Sequence, residues 1–169
     1  MAHELAQPGA RLLCISRKRN PELQAQADAA GAVLEQWSAD LADAAAVAAQ
    51  LAEWLQACDP QRLASATLIN NAGAISPLVA VRDSDPSALA QALRVGVEAP
   101  LQLCAAFLGA TRNWAVPRKV LNISSGLGRR AMASSAAYCA AKAGMDHFSR
   151  CIALEESAVP NGAKVCSLA

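Results

Sequence analysis

The stretch "KVLNISSGLGRRAMASSAAYCAAKAG", residues 119–144, joins a short apolar run ending in two serines to an alanine-rich segment with helical spacing. Residues 119–125 read as a strand and 134–157, "SSAAYCAAKAGMDHFSRCIALEES", as a long helix. Tyr138, the only tyrosine in 169 residues, stands four positions before Lys142, so both side chains rise from one helix face. A phenol ionises near pH ~10, and an adjacent cation favours its phenolate, which suits it to proton transfer nearer neutrality. Ser125 lies thirteen residues before Tyr138, at the carboxyl end of the strand. Ser124 is its neighbour, but alternation along a strand sends the two serines to opposite faces.

Outward from this stretch, strands and helices alternate. "RLLCIS" (11–16), "AVLEQWSADL" (32–41), "ATLINNAG" (66–73) and "AKVCSLA" (163–169) read as further strands. "PELQAQADAAG" (21–31) begins with proline and ends with glycine, as helices do. "DAAAVAAQLAEWLQAC" (43–58) and "SALAQALRVGVEAPLQLCAAFLGA" (87–110) carry apolar residues at helical spacing. Continuously apolar strands alternating with helices predict an α/β fold, a doubly wound parallel sheet covered by helices on both faces. Ligands of such sheets sit outside the carboxyl ends of the strands, where Ser125 falls. With no repeat or low-complexity linker, residues 1–169 read as a single domain. The opening residues resemble the last turns of a helix, and the chain stops inside a strand, so it is expected to be the middle of a longer protein.

Composition narrows the function classes. A formal charge of +1 provides no field to draw the chain to nucleic acid or to an anionic membrane. No apolar run approaches the ~20 residues of a membrane span, and the opening "MAHELAQPG" does not read as a basic segment followed by the apolar core of a signal peptide. The six cysteines are scattered, without C-x-x-C pairs or histidines at ligand spacing, so neither a metal site nor a disulfide scaffold is expected. They read as small buried residues in a reducing, cytoplasmic setting. A serine hydrolase is disfavoured: "NISSG" is not the G-x-S-x-G elbow, and neither His3 nor His147 offers an evident base.

Three motifs together, Asn70-Asn71-Ala72-Gly73, Ser125 and Tyr138-x-x-x-Lys142, resemble the signature of the short-chain dehydrogenases/reductases in order and spacing. The resemblance covers essentially the whole chain and is nearest to the sepiapterin-reductase-like and benzil-reductase-like branch. It implies a Rossmann-like fold and reduction of a ketone or diketone, a small-molecule carbonyl substrate. Tyr138 is then the proton donor, Lys142 tunes it and holds the nicotinamide ribose, and Ser125 stabilises charge developing on the carbonyl oxygen. Asn71, Ala72 and Gly73 would line the cofactor, glycine allowing close approach. Asp40, followed by Leu41, matches the acidic residue that contacts adenine. The resemblance also implies a homodimer or homotetramer joined by the two long helices, through Cys104, Ala105 and Ala106 on one and Ala136 and Ala137 on the other.

Cofactor choice follows from charge. In the family order "RLLCIS" is the second strand, where an acid would bind a ribose 2′-hydroxyl and an arginine would accommodate a 2′-phosphate. Here the strand runs into Ser16, Arg17, Lys18 and Arg19 without a carboxylate, which predicts NADP(H). Two departures stand against the family pattern. Its glycine-rich pyrophosphate loop is absent, as is its C-terminal segment, so the fold is expected to be incomplete. Where the family often places an asparagine that props a water, Gly96 occupies "VGVEAP", a helix-interior glycine that costs about 1 kcal/mol against alanine. The competing expectation is a catalytically impaired remnant that keeps only a helix-mediated oligomerisation surface.

Overall fold

In the computed structural model, which describes residues 2–169, the chain divides into two compact units, Met1–Leu41 and Ala42–Ala169. The first unit contains α1 (Ala2–Leu5), β1 (Arg11–Ser16), α2 (Pro21–Ala29) and β2 (Val33–Ser38). Local chemistry sets the bounds of α2. The Asn20 side chain accepts from the Glu22 and Leu23 amides, and Pro21 fills the first helical position, where its missing N–H is no loss. Gly31, at φ +70°, turns the chain out of the helix in a conformation other residues rarely adopt. β1 and β2 pair in parallel, from Arg11 opposite Val33 to Ser16 opposite Ser38. The expectation of fully buried strands fails here. No residue of either strand is buried, and the unit's apolar interior is Leu23, Ala27, Ala32 and Leu41.

The second unit is a parallel sheet in the order β3 (Ala66–Asn70), β4 (Arg118–Ile123), β5 (Lys164–Leu168). Its helices are α3 (Ala44–Gln56), α4 (Pro86–Leu93), α5 (Ala99–Thr111) and α6 (Ala136–Ser157). Register runs from Ala66 opposite Arg118 to Asn70 opposite Asn122, and from Lys119 opposite Lys164 to Ile123 opposite Leu168. α5 packs on α3, while α6 lies against β5 and a tight turn at Gly126–Gly128. Leu51, Leu55, Leu103, Phe107, Val120 and Met145 fill the core. The amino end of β4 is held by Arg118, which is 4% exposed, donates to the Asn161 carbonyl and lies 4.0 Å from Glu156.

The stretch read as one helix over 87–110 is broken. Between α4 and α5 the chain takes a wide π turn, Arg94–Glu98, in which the Ala99 amide bonds back to the Arg94 carbonyl. Pro100 supplies the reason: it lacks the N–H that would bond to the Gly96 carbonyl, and its ring would clash with that carbonyl in a regular helix. Contrary to the reading of apolar runs, Pro86–Thr111 is long and apolar enough, by length and composition, to cross a membrane. Arg94 and Glu98 interrupt the run and hid it. In the second unit Ala92, Val95, Ala99, Leu103, Cys104 and Phe107 of this stretch are buried in protein.

Candidate active site

β4 ends at Ile123 and delivers Ser124 and Ser125 to the carboxyl edge of the second unit's sheet. Ser124 is buried. Ser125 is half-buried and caps the following turn, its Oγ accepting from the Leu127 amide at 3.2 Å. That turn runs directly onto α6: a Cβ on Gly128 would lie 2.9 Å from the Lys142 carbonyl carbon and 3.1 Å from the Ala143 nitrogen. Glycine at 128 therefore allows the serine-bearing turn to touch the helix at the lysine. The sequence showed two glycines here, and only the packing shows which of them is constrained.

On α6 the tyrosine and lysine come together as their spacing predicts. Lys142 Nζ lies 5.7 Å from the centroid of the half-buried Tyr138 ring, within cation–π range. Lys142 itself is only 5% exposed, and its Nζ donates to the Ile123 carbonyl at 2.6 Å. This bond uses one of three ammonium donors and ties α6 to the end of β4, two residues before Ser125. Burial pushes the Lys142 ammonium below its ordinary pKa, and the charge of Asp146 works against that fall.

Asp146 was missed in the sequence, although its place four residues beyond Lys142 puts it on the same face. It is 4% exposed. Arg129 Nε, from the turn after Ser125, lies 3.7 Å from its Oδ2. Burial alone would raise this carboxyl. The hydroxyls of Ser124 and Ser167, followed by the guanidiniums of Arg129 and Arg150, reverse that and hold it below the usual range. Those hydroxyls act from near contact, since neither carboxylate oxygen nor Ser124 Oγ has a hydrogen bond of good geometry.

Behind these groups lies a buried polar chain across three elements. Asn70 Nδ2 donates to Asn122 Oδ1 at 2.8 Å, and Asn122 Nδ2 donates to Ser149 Oγ at 2.8 Å. Ser149 Oγ in turn donates to the Met145 carbonyl at 2.6 Å. Cys104 Sγ sits 3.3 Å from Asn70 Nδ2, and burial pushes its thiol up to about 11. Cys104 is thus a core residue of the second unit, as is Ala137, and neither offers the subunit contact expected of it. Ala105 and Ala136 are exposed, and the large apolar side chains these helices leave exposed are Leu93, Leu101 and Leu154.

Asn71, Ala72 and Gly73 follow β3 and are exposed. A Cβ on Gly73 would meet no protein atom within 4 Å, so protein packing does not demand glycine there. Gly96, by contrast, is buried in the π turn, and a Cβ on it would approach that of Ala141 to 2.7 Å. An asparagine at this position would collide with α6 beside Lys142. The departure from the family pattern is therefore matched to the neighbouring helix.

In the first unit, Ser16 closes β1 and Arg17, Lys18 and Arg19 follow it, all four exposed. The loop is fixed from β2: Ser38 Oγ donates to the Arg17 carbonyl at 2.9 Å, and the Gln36 amide bonds the Asn20 backbone in both directions at 2.8 and 3.0 Å. Ser16 Oγ donates to the Lys18 carbonyl at 2.7 Å. Asp40 is exposed after β2, and Leu41 beside it is buried.

Parallel βαβ units with a serine at a strand end and Tyr-x-x-x-Lys on the next helix define a class of nucleotide-dependent oxidoreductases. The sequence pattern described as short chain dehydrogenase matches residues 1–165, and the chain belongs to that family. It is 30% identical over 156 residues, 92% of its length, to the benzil reductase ((S)-benzoin forming) of Bacillus cereus, and spans 63% of that protein. A short-chain dehydrogenase/reductase from Burkholderia vietnamiensis superposes with a TM-score of 0.80 at 38% identity, over 93% of this chain and 69% of that one. A metagenomic short-chain oxidoreductase solved in complex with NADP superposes at 0.81 with 27% identity, over 98% of this chain and 73% of its own. The Rossmann-like fold and the benzil-reductase-like branch expected from the motifs are both met.

Proposed function

We propose that the chain carries the catalytic core of an NADPH-dependent carbonyl reductase, with Tyr138 as proton donor, Lys142 as its cationic partner and Ser125 as the hydroxyl that holds the substrate oxygen. The observation that carries the reading is the Lys142 ammonium over the Tyr138 ring and bonded to the end of the strand that presents Ser125. A ketone or vicinal diketone fits these groups: its oxygen accepts a hydrogen bond from a hydroxyl and takes a proton from a phenol as negative charge develops. The benzil reductase likeness favours the diketone.

The residues present suit a phosphorylated dinucleotide. Arg17 and its basic neighbours form an exposed cluster without a carboxylate among 16–19, held in place by Ser38 and Gln36. Arginine grips a 2′-phosphate through a planar pair of donors. Lys142 retains two N–H donors for a ribose diol, and the exposed Asn71-Ala72-Gly73 segment leaves the space beside Gly73 clear of protein. When bound, NADPH would supply the hydride. Leu93, Leu101 and Leu154 support a homodimer or homotetramer built on the long helices.

The test is NADPH oxidation over a panel of ketones and vicinal diketones, using this chain and a form extended at both ends. Wild type should turn over at least one diketone, and Tyr138→Phe should lose turnover by about 100-fold or more, the usual contribution of a positioned acid, while still binding NADPH. Arg17→Glu should weaken NADPH binding more than NADH binding. Undiminished turnover in Tyr138→Phe refutes the assigned proton donor. Absence of NADPH binding in either form favours the non-catalytic remnant.

A further inference from the structure

Asp146 stands out among the buried groups of the second unit because nothing in the proposed chemistry uses it. A carboxylate removed from water is strongly disfavoured unless paired and hydrogen-bonded. Asp146 is 4% exposed, yet both its oxygens lack a hydrogen bond of good geometry. Among the described residues its one cation within 4 Å, Arg129 at 3.7 Å, belongs to a side chain that is 60% exposed and so largely satisfied by solvent. The neighbouring hydroxyls and guanidiniums nevertheless hold the carboxyl below its usual range, so the charge persists in this buried place.

Its surroundings give the charge a different use. Tyr138, Lys142 and Asp146 follow one another at four-residue spacing along one face of α6. Lys142, also buried, makes a single hydrogen bond, to a neutral carbonyl, so its ammonium has lost most of its hydration without gaining a direct counterion. The charged or titratable groups around the pair are Tyr138 and Arg150 from α6 and Arg129 from the turn. Ser124, just past β4, and Ser167 from β5 are neutral hydroxyls turned toward the carboxylate. The π turn brings only Gly96 to Ala141 and Val97 to Gly144. Asp146 is thus the negative charge available to offset the desolvation of Lys142.

We propose that Asp146 is a positioning residue: its buried carboxylate, one helical turn beyond Lys142 and braced by Arg129 and Ser124, keeps the Lys142 side chain as an ammonium held against the end of β4. It touches no substrate and acts only through the lysine. The inference rests on Lys142 being a member of the site, but it concerns a property of the protein that exists whether or not the chain turns over a carbonyl. The direction of the Lys142 shift agrees with it, since burial lowers the lysine and Asp146 resists the fall.

The experiment is a direct titration of the lysine. The protein has four lysines, Lys18, Lys119, Lys142 and Lys164, so Cε-labelled lysine gives four resonances, with that of Lys142 assigned by its loss in Lys142→Arg. In wild type the Lys142 midpoint should lie below the other three. In Asp146→Asn and Asp146→Ser, shown to be folded by circular dichroism, it should fall further, by about half a unit or more, as expected when an opposite charge is removed nearby. Asp146→Glu should restore it. An unchanged or raised midpoint in a folded neutral variant overturns the proposal, and loss of fold in both neutral variants overturns it in favour of a purely structural role. Because the readout needs neither cofactor nor substrate, failure of the reductase reading in the turnover assay leaves this result independent.

Discussion

At the scale of single residues, the two glycines beside Lys142 differ in what crowds them, and that difference can be measured. A Cβ on Gly96 meets another Cβ, that of Ala141, at 2.7 Å. A Cβ on Gly128 meets the α6 backbone at 2.9 Å. Gly96→Ala forces the π turn away from α6, which costs about 1–3 kcal/mol by overpacking and lowers Tm by roughly 2–12 °C in a chain of this size. Removing the opposing methyl relieves that clash, so Gly96→Ala with Ala141→Gly should be more stable than the sum of the single effects predicts. No single side-chain deletion offers Gly128→Ala the same relief. Simple additivity in the Gly96 cycle, measured by thermal or urea unfolding, would show that the contact is not the reason for glycine. The sequence alone treated Gly96 as a helix-interior liability because propensity is local, whereas the contact that selects glycine comes from a residue 45 positions away.

At the scale of elements, strands and most helices were legible because their signals are local: short apolar runs, apolar residues at helical spacing, and Pro21 at the start of α2. The π turn was not read, although Pro100 four residues after Gly96 marked a place where regular helical bonding must fail. The buried polar chain was equally hidden, since Asn70 looked like part of a cofactor motif and Asn122 like a strand residue. Their pairing is set by the register that places Asn70 opposite Asn122. This pairing binds β3, β4 and α6 together behind the site. Asn122→Ala should therefore cost about 2 kcal/mol or more, because it leaves both the Asn70 amide and the Ser149 hydroxyl without their buried partner. Ser149→Ala removes only the outer link and should cost less. Urea unfolding with an unchanged m value would report both, and equal small losses would mean that the chain of bonds carries little stability.

At the scale of the whole molecule, the family pattern runs through residues 1–165, yet the described residues form two units with very different interiors. The continuously apolar strands led to an expectation of uniform burial. In the second unit β4 buries alternate residues, Arg118, Val120 and Asn122, while β3 buries only Asn70 and β5 none. In the first unit β1 and β2 form a two-stranded sheet without a buried residue in either strand. A two-stranded pairing is marginal unless a hydrophobic face is covered, and the apolar interior available here is a few residues around Leu23 and Ala27. Stability should therefore be distributed unevenly, with local opening of low free energy at β1 and β2 and near-global opening at β4. Native-state amide exchange separates the two: the amides of Leu12–Ile15 should exchange through an opening that denaturant barely affects. Those of Val120–Ile123 should exchange only through an opening with the denaturant dependence of global unfolding. NADPH, bound through Arg17 as proposed, should slow exchange at β1, because opening of the first unit releases the ligand. Equal protection of both strands without cofactor would show that the first unit draws its stability from the same cooperative core as the second.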